Sequence, residues 1–306
     1  MPTFSIIIPH KNCPELLKRC LQSIPIREDI ETIVVDDNST DIGPIKQLEG
    51  ETAERNILFV LTTDGKGAGF ARNVGLTYAK GEWIIFADAD DFFDEQAFDV
   101  FDKYADSDND IVYFPHRSVY SDTLESCNRF NVRNQVIEAW QKKGSEKRLN
   151  RIKYYDLVPW SKMFRKDYVD RQAIKFDEVP ASNDVMFVVQ TAANTQNICV
   201  SSEIVYVLTY RKGSITRVAD KRNNFSRYMV SLRYNNYMDM IGHPEMKKRV
   251  ASYILLAWRS FGKEEALLYM REAHAHKQGI FTGIMPKGNE ISDKLASLFH
   301  KNNYQG

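Results

Sequence analysis

The sequence predicts an α/β protein with a mostly parallel sheet flanked by helices and followed by a helical C-terminal extension. Short apolar runs alternate with amphipathic stretches through residues 4–115, which is typical of a helix-covered parallel sheet. Beyond Thr216 the apolar residues recur at helical spacing. Several apolar runs end in polar clusters, and parallel sheets bind ligands at the carboxyl ends of their strands. These clusters are therefore the predicted functional edge.

Five strands and three helices are predicted in the first part of the chain. The strands cover residues 4–9, 32–35, 56–61, 82–86 and 111–114. The helices begin at Pro14, near residue 71 and near residue 95. Proline suits a first helical turn, and Asn12 is the expected N-terminal cap of the Pro14 helix.

The second part is predicted to change from a mixed pattern to an all-helical one. Residues 118–156 define no clear element. A helix is predicted over 184–193, strands over 198–200 and 204–208, and helical stretches over 225–240 and 246–271. We place a boundary near Arg217, which gives a domain of residues 1–217 and a helical region of residues 218–306.

Composition excludes several classes of protein. The 41 basic and 41 acidic residues cancel, whereas a dedicated nucleic-acid-binding protein carries a basic excess. The four cysteines form no C-x-x-C pair, so we expect free thiols in a reducing compartment and no zinc site. No signal peptide and no apolar stretch long enough to cross a bilayer is visible. We expect a cytoplasmic protein that can lie against the inner face of the membrane.

The sequence from Glu82 to Asp91 delivers three carboxylates to the end of one buried strand. Asp88, Asp90 and Asp91 lie within four residues. Carboxylates this close repel one another, and Mg²⁺ or Mn²⁺ is the usual offset. The alternative is a solvated acidic loop in which Asp91 or Asp94 caps the next helix.

Polar residues also follow the first two strands. An acidic pair such as Asp36 and Asp37 can accept hydrogen bonds from a base or a ribose, although an Asx turn would use the same residues. The glycines from Gly65 to Gly69 are not a dinucleotide fingerprint, because Phe70 stands where a glycine is needed. This turn leads to Arg72, which could pair with the carboxylates or a ligand, or form only a surface ion pair.

Three later features have two readings each. Asp184 at a predicted helix start could be a general base or an acid favoured by the helix dipole. The basic loop of residues 210–217 suits phosphate capture, or it is a linker. Trp160 could stack on a sugar or lie buried in the core.

Four motifs in order resemble family 2 glycosyltransferases of the GT-A fold. They are residues 5–9 (SIIIP), 33–39 (IVVDDNS), 71–76 (ARNVGL) and 81–91 (GEWIIFADADD). The resemblance covers residues 4–115 well and extends less tightly through residues 160–162, 183–184 and 210–216. It implies a nucleotide-sugar donor, usually linked to UDP, and a divalent metal.

The resemblance also implies roles for individual residues. Asp184 would be the catalytic base and Asp90 the metal ligand. Trp160 and Asn183 would face the acceptor. The donor site would comprise Pro9, His10, Asn12, Asp37, Arg72, Asp88, Asp90, Arg211 and Ser214. Pro9 and Asp37 would hold the uracil and ribose, Asp88 the ribose or sugar, and Arg211 with Ser214 the diphosphate.

Two departures from the family pattern are visible. His10-Lys11-Asn12 replaces the aromatic-Asn pair of many relatives, and Asn183-Asp184 replaces Glu-Asp. The first leaves stacking on the base open, and the second keeps the carboxylate that would act as the base.

The expected function is therefore an inverting glycosyltransferase. It would move a sugar from a UDP-sugar, or another nucleotide sugar, to an acceptor hydroxyl in cell-surface polysaccharide or glycoconjugate synthesis. The acceptor would be a saccharide or a lipid-linked saccharide. Residues 1–117 would form the nucleotide-sugar half and residues 118–217 the acceptor half. The alternative is a non-catalytic nucleotide-sugar-binding or scaffold protein on the same fold, and Phe70 disfavours an oxidoreductase.

Overall fold

The structure is a computed structural model that describes residues 1–129, 131–211 and 220–283. It divides into two compact units. The sheet unit comprises Met1–Glu178 and Phe187–Lys212, and the helical unit comprises Val179–Met186 and Gly213–Gly306. The sheet unit therefore ends at Lys212. The short segment Val179–Met186 belongs to the same unit as the C-terminal helices.

The sheet unit contains a seven-stranded sheet with the order β3-β2-β1-β4-β8-β6-β9. Its strands are β1 (Phe4–His10), β2 (Ile30–Asp37), β3 (Ile57–Thr62), β4 (Trp83–Phe86), β6 (Ile111–Tyr113), β8 (Lys162–Arg165) and β9 (Ile198–Val200). All neighbours are parallel except β8, which is antiparallel to both β4 and β6. A second sheet, with the order β5-β10-β7, is formed by β5 (Phe92–Phe93), β7 (His116–Tyr120) and β10 (Tyr206–Tyr210).

Helices cover the large sheet and make up the described part of the helical unit. In the first half they are α1 (Pro14–Gln22), α2 (Gly43–Glu51), α3 (Ala68–Tyr78) and α4 (Ala97–Asp102). In the second half they are α5 (Asn131–Lys142), α6 (Glu146–Tyr155), α7 (Lys166–Gln172), α8 (Val185–Ala193), α9 (Lys221–Met240), α10 (Val250–Phe261) and α11 (Lys263–Ala275). A 3₁₀ turn covers Pro244–Met246. Within the described residues, no helix has both the length and the hydropathy required to cross a membrane.

The central strand β1 explains why both faces of the sheet are apolar. All seven of its residues are buried. Ile6 and Ile8 belong to one hydrophobic cluster, and Ile7 belongs to another. Successive side chains of a strand point to opposite faces, so β1 contributes to the core on both sides. A continuous apolar run is therefore the expected pattern for a strand with helices on both faces.

Several predicted elements lie close to where the sequence places them, and others differ. Cys13, not Asn12, occupies the N-cap position of α1, and it makes no side-chain capping bond. The predicted helix near residue 95 begins at Ala97, and its N-cap Gln96 likewise makes no side-chain capping bond. The predicted stretch 246–271 is broken at Gly262, whose φ of 93° lies in the left-handed region that favours glycine.

Candidate active site

The ends of β1 and β2 are joined by a buried pair. These two strands place His10 opposite Asp36 in the sheet register. His10 Nδ1 lies 2.7 Å from Asp36 Oδ1, and the backbone N–H of Cys13 donates to His10 Nε2 at 3.1 Å. Because Nε2 accepts, Nδ1 carries the proton and donates to Asp36. His10 is only 2% exposed, so its role in this structure is to hold the strand ends together, not to offer a ring to a nucleobase.

Asn12 and Ser39 join the loops that follow these strands. Asn12 has a φ of 54°, which places it in the left-handed region where asparagine is tolerated. Its backbone N–H donates to Ser39 Oγ at 2.9 Å, and its side-chain Oδ1 accepts from the backbone N–H of Thr40 at 2.8 Å. Asn12 therefore shapes the rim of the candidate donor site by bridging two loops. Pro9 is a buried residue of β1.

Asp37 carries a buried oxygen that is ready to accept a hydrogen bond. Its Oδ2 accepts from the backbone N–H of Gly67 at 2.9 Å and lies 3.3 Å from Lys11 Nζ. Its Oδ1 is buried and has no hydrogen-bond partner among the described residues. An unsatisfied buried acceptor is costly, and a ligand N–H or O–H would relieve that cost. This fits the predicted place of Asp37 in nucleotide binding.

The three acids after β4 converge. Ligand oxygens of Asp88, Asp90 and Asp91 all lie within 4.8 Å of one another. Burial is the main factor that raises the pKa of Asp90, followed by the neighbouring Asp88 charge, while Arg211 and Arg129 act in the opposite direction. A divalent cation would offset this repulsion with the oxygen ligands that Mg²⁺ and Mn²⁺ prefer. The donor set therefore fits such an ion.

Asp91 braces the turn from the inside. Its Oδ1 accepts from the backbone N–H of Thr209 at 2.7 Å, and its Oδ2 accepts from the Tyr206 hydroxyl at 3.0 Å. That same hydroxyl accepts from the backbone N–H of Asp88 at 2.9 Å. Asp91 is 2% exposed, and burial, Asp90 and Asp88 raise its pKa. The capping role considered for Asp91 is therefore not what the structure shows.

The backbone of Asp90 is held from two sides. Its carbonyl oxygen accepts from Arg19 at 2.8 Å and from Thr209 Oγ1 at 2.8 Å. The turn is therefore preorganised by residues that are distant in sequence.

Arg72 faces Asp88 from the first turns of α3. Its guanidinium lies 2.6 Å from Asp88 Oδ1 and 5.4 Å from the centroid of the Phe176 ring. Arg72 is 5% exposed, so the pair is not the exposed surface ion pair that was the alternative reading. A buried guanidinium beside this carboxylate places fixed positive charge at the candidate diphosphate end.

Trp160 is buried, and Arg211 is exposed. Trp160 is 4% exposed, with Tyr206 stacked on it at 5.0 Å and the Arg133 guanidinium 4.1 Å from its ring. It therefore adopts the buried alternative and does not present a face to a sugar. Arg211 is exposed and directly follows β10. Ser214 lies outside the described residues.

Asn183 and Asp184 belong to the helical unit and immediately precede α8. Both side chains are partly buried. The placement of Asp184 directly before a helix start agrees with the sequence prediction. Its role as a base is a matter for proposal.

Sequence reasoning missed the residues that brace the acidic turn, our name for residues 88–91 after β4. Tyr206 lies in the strand that the sequence predicts over residues 204–208, and Thr209 directly follows that predicted range within β10. Arg19 lies on the amphipathic helix α1. A polar residue inside an apolar strand is the one signal that could have drawn attention to Thr209. Nothing local indicates that the Tyr206 hydroxyl reaches residue 91.

The sequence profile of Glycosyl transferase family 2 matches residues 5–172, which is more than half of the chain and includes β1, β2, the acidic turn and β8. The chain belongs to glycosyl transferase family 2. The predicted family is confirmed.

Curated relatives in the family are similar over part of their length. The "Putative glycosyltransferase EpsH" of Bacillus subtilis (strain 168) is 23% identical over 180 residues, which cover 57% of this chain and 50% of that protein. The "Poly(ribitol-phosphate) beta-N-acetylglucosaminyltransferase TarP" of Staphylococcus aureus (strain N315) is 27% identical over 219 residues, which cover 68% of this chain and 63% of that protein. The chain thus spans between half and two thirds of the length of these two relatives.

Solved structures share the fold. Staphylococcus aureus TarS 1-349 in complex with UDP-GlcNAc aligns with a TM-score of 0.57 and 20% identity, covering 90% of this chain and 73% of that one. The mannosyltransferase PcManGT from Pyrobaculum calidifontis in complex with GDP-Man and Mn²⁺ aligns with a TM-score of 0.57 and 16% identity, covering 99% and 81%. At these identities the likeness concerns the fold, and the predicted GT-A fold is confirmed.

Proposed function

We propose that this protein is an inverting glycosyltransferase that transfers a sugar from a nucleotide diphosphate to an acceptor hydroxyl. The observation that carries the proposal is the convergence of Asp88 and Asp90 at the edge of the sheet, beside the buried Arg72. Family membership supports it, and the comparisons give no support to the non-catalytic alternative. Within the sheet unit, the unsatisfied Asp37 oxygen can accept a hydrogen bond from the nucleoside. The Asp88 and Asp90 carboxylates can hold a cation that binds the diphosphate.

Residues of the sheet unit would bind the donor by charge and hydrogen bonding. Asp37 Oδ1 would accept from the base or the ribose, where Lys11 can donate to a neighbouring acceptor atom. Asp88 would accept from a ribose or sugar hydroxyl, with its orientation fixed by Arg72. Arg211, whose charge acts on Asp90, would approach the diphosphate oxygens. Pro9, His10 and Asn12 would contribute by shaping the base end.

Asp90 would hold the divalent ion, with Asp88 completing the acidic pair. A Mg²⁺ or Mn²⁺ ion bound there would offset the negative charge that grows on the departing diphosphate. Asp91 is committed to Tyr206 and Thr209, so its role is to keep the turn in shape. The solved PcManGT structure is a complex with GDP-Man and Mn²⁺, which supports this class of ion.

Asp184 would act as the general base. It removes the proton of the acceptor hydroxyl as the hydroxyl oxygen bonds to the anomeric carbon. The bond from that carbon to the diphosphate breaks on the opposite face, and its electron pair leaves with the nucleotide. The result is inversion at the anomeric carbon, and a positioned base contributes about 10²–10⁴ in rate.

The proposed substrates follow the named relatives. TarP is a poly(ribitol-phosphate) beta-N-acetylglucosaminyltransferase, and one TarS structure holds UDP-GlcNAc. We therefore propose a UDP-sugar as the donor and, as the acceptor, a saccharide or lipid-linked saccharide of a cell-surface polymer. The reaction would take place in the cytoplasm, at the inner face of the membrane when the acceptor is lipid-linked.

A donor screen with two variants tests the proposal. Release of UDP, GDP and dTDP is measured over a panel of nucleotide sugars, with and without Mn²⁺ and acceptor saccharides. Asp184→Asn should reduce transfer at least about 100-fold and leave Mn²⁺-dependent UDP binding within twofold. Asp90→Ala should instead abolish the Mn²⁺ dependence of UDP binding.

Matched controls are Asp239→Asn in the helical unit and Asp64→Asn in the sheet unit, since both residues form exposed ion pairs with neighbouring lysines. Transfer at the wild-type rate by Asp184→Asn would remove that residue from the role of base. If the protein bound UDP but transferred no sugar from any nucleotide sugar in the panel, the non-catalytic alternative would be favoured.

A further inference from the structure

The segment Val179–Met186, which contains Asp184, forms a compact unit with the C-terminal helices and not with the sheet that surrounds it in sequence. We call it the base segment. It lies between two stretches of the sheet unit along the chain. The C-terminal helices are thus the part of the molecule that forms one compact unit with this segment.

One contact with α9 fixes the base segment at Ala181. The Ser226 hydroxyl accepts from the backbone N–H of Ala181 at 3.2 Å and donates to its carbonyl oxygen at 2.8 Å. Both residues are 8% exposed. A single side chain thereby satisfies both backbone groups of Ala181, and those groups would be costly to leave unpaired.

The next residue carries backbone strain. Ser182 has a φ of 59°, in the left-handed region that non-glycine residues rarely adopt. Such a conformation persists only where the surroundings enforce it. The chain then turns through Asn183 and Asp184 into α8, with the N–H of Val185 donating to the Ser182 carbonyl at 3.3 Å. The backbone conformation that the surroundings enforce at Ser182 thus lies two residues before Asp184.

Lys248 belongs to the same compact unit as Asp184 and interacts with it electrostatically. Burial lowers its pKa to about 8, and the Asp184 carboxylate acts against that decrease. Its backbone is clamped by the fully buried Asn235, which donates to the Lys248 carbonyl at 2.9 Å and accepts from its N–H at 2.7 Å. Its ammonium lies 4.9 Å from the centroid of the Tyr234 ring.

The described neighbours of Lys248 come mainly from α9. Tyr234 and the neutral Asn235 contact it, and the Asp184 carboxylate of the base segment acts on it electrostatically. Its sequence neighbour Lys247 is directed elsewhere, because it pairs with Asp239 at 2.7 Å. Gly283 packs against the Lys248 carbonyl, where a Cβ would lie 2.3 Å away and no side chain could fit.

We propose that the C-terminal helical unit serves the reaction by positioning the base, with Ser226 fixing the backbone that leads to Asp184 and the Lys248 ammonium adding positive charge to its surroundings. Ser226 and Lys248 are positioning residues, because they act through Asp184. The inference deepens the proposed function and depends on it. It gives the helical unit a role that donor binding does not require.

The first test is the pH profile of kcat for Lys248→Met. Removing a cation beside a carboxylate raises the pKa of the carboxylate, so the acid limb should move upward by about 1 pH unit. Lys248→Arg keeps the charge and should keep the wild-type acid limb. Lys247→Met is the matched control, since it removes a neighbouring charge that pairs with Asp239. UDP binding in the presence of Mn²⁺ should be unchanged in all three.

The second test is Ser226→Ala, with Ser226→Thr as the variant that retains a hydroxyl. Ser226→Ala should lower kcat about tenfold with an unchanged KM for the donor, and Ser226→Thr should recover most of the loss. Circular dichroism identifies variants that fail to fold, and for those the Lys248→Met profile decides.

An unmoved acid limb in Lys248→Met, or an equal shift in Lys247→Met, would overturn the inference while wild-type transfer still supports the proposed function. An absence of transfer by the wild-type protein would instead count against the proposed function itself.

Discussion

Five aspartates near one edge of the sheet have different roles because their surroundings differ. Asp36 is saturated by His10 and Ser39, whereas Asp37 keeps one buried oxygen without a partner among the described residues. Asp91 is bonded to Tyr206 and Thr209, and Asp88, which pairs with Arg72, and Asp90 are the carboxylates that we propose for the ligand. In the sequence these residues form one acidic pair, Asp36 and Asp37, and one group of three, Asp88, Asp90 and Asp91. Their division of labour follows from which oxygens the fold already uses.

The Tyr206 hydroxyl makes a prediction at this scale. Tyr206→Phe keeps the ring stacked on Trp160 but removes the donor to Asp91 and the acceptor of the Asp88 N–H. We expect the free energy of unfolding, measured by urea titration, to fall by about 1–3 kcal/mol. We also expect the Mn²⁺-dependent binding of UDP, measured by calorimetry, to become several-fold weaker. Tyr113→Phe is the matched control, because this equally buried hydroxyl has no partner among the described residues. Identical behaviour of the two variants would show that the hydroxyl does not brace the turn.

At the scale of elements, the ends of the strands and the starts of the helices position the candidate site residues. The strands β1, β2 and β4 are neighbours and parallel, so the residues that follow them collect at one edge. Tyr206 and Thr209 of β10, together with Arg19 of α1, supply the bracing contacts. Helix α3 approaches β1 closely, because Gly75 has no side chain: a Cβ there would lie 2.4 Å from Ile7 Cγ2.

That close approach predicts opposite effects for two glycines in helices. Gly75→Ala should lower the free energy of unfolding by about 1–3 kcal/mol, because overpacking outweighs the gain in helix propensity. Gly50→Ala on α2 meets no atom within 4 Å and should raise stability by about 0.4–1 kcal/mol. The midpoints of urea unfolding measure both. Gly75→Ala as stable as the wild type would mean that α3 can shift away from β1 at little cost.

At the scale of the whole molecule, the residues proposed for donor binding and the proposed general base belong to different compact units. The acidic turn, Arg72 and Asp37 belong to the sheet unit, and Asp184 belongs to the helical unit. Ligand binding to either unit stabilises the folded protein by mass action. Protons compete with a metal ion for the same carboxylates, so this stabilisation depends on pH.

The direction of the pH dependence follows from the raised pKa values of Asp90 and Asp91. Without ligand, the folded protein binds these protons more tightly than the unfolded chain, whose aspartates have an ordinary pKa of about 3.9. Their contribution to stability is full below that value and is lost as the pH rises through the folded-state pKa. Mn²⁺ with UDP needs the ionised carboxylates, so its effect has the opposite direction.

We therefore expect the increase in Tm produced by Mn²⁺ and UDP to be large at about pH 7.5 and to shrink as the pH is lowered to about 5. Thermal unfolding across this range, with UDP and EDTA as the control, measures it. An increase in Tm that is the same at every pH would show that the acidic turn does not bind the ion.

The sequence by itself determined the elements whose signal is local. Apolar runs bounded by turns gave β1, β2, β3 and β4, and the order of the motifs gave the family and the fold. It could not give the antiparallel β8, because this strand has only two apolar residues between Lys162 and Arg165, nor could it separate α10 from α11 at Gly262.

Only the tertiary structure decided what each site residue contacts. It buried Trp160, committed Asp91 to β10, left one oxygen of Asp37 unsatisfied among the described residues and assigned Asp184 to the helical unit. The physical reason is that hydrogen bonds and burial join residues about 26 to 118 positions apart, whereas propensity and periodicity report only on near neighbours in the chain.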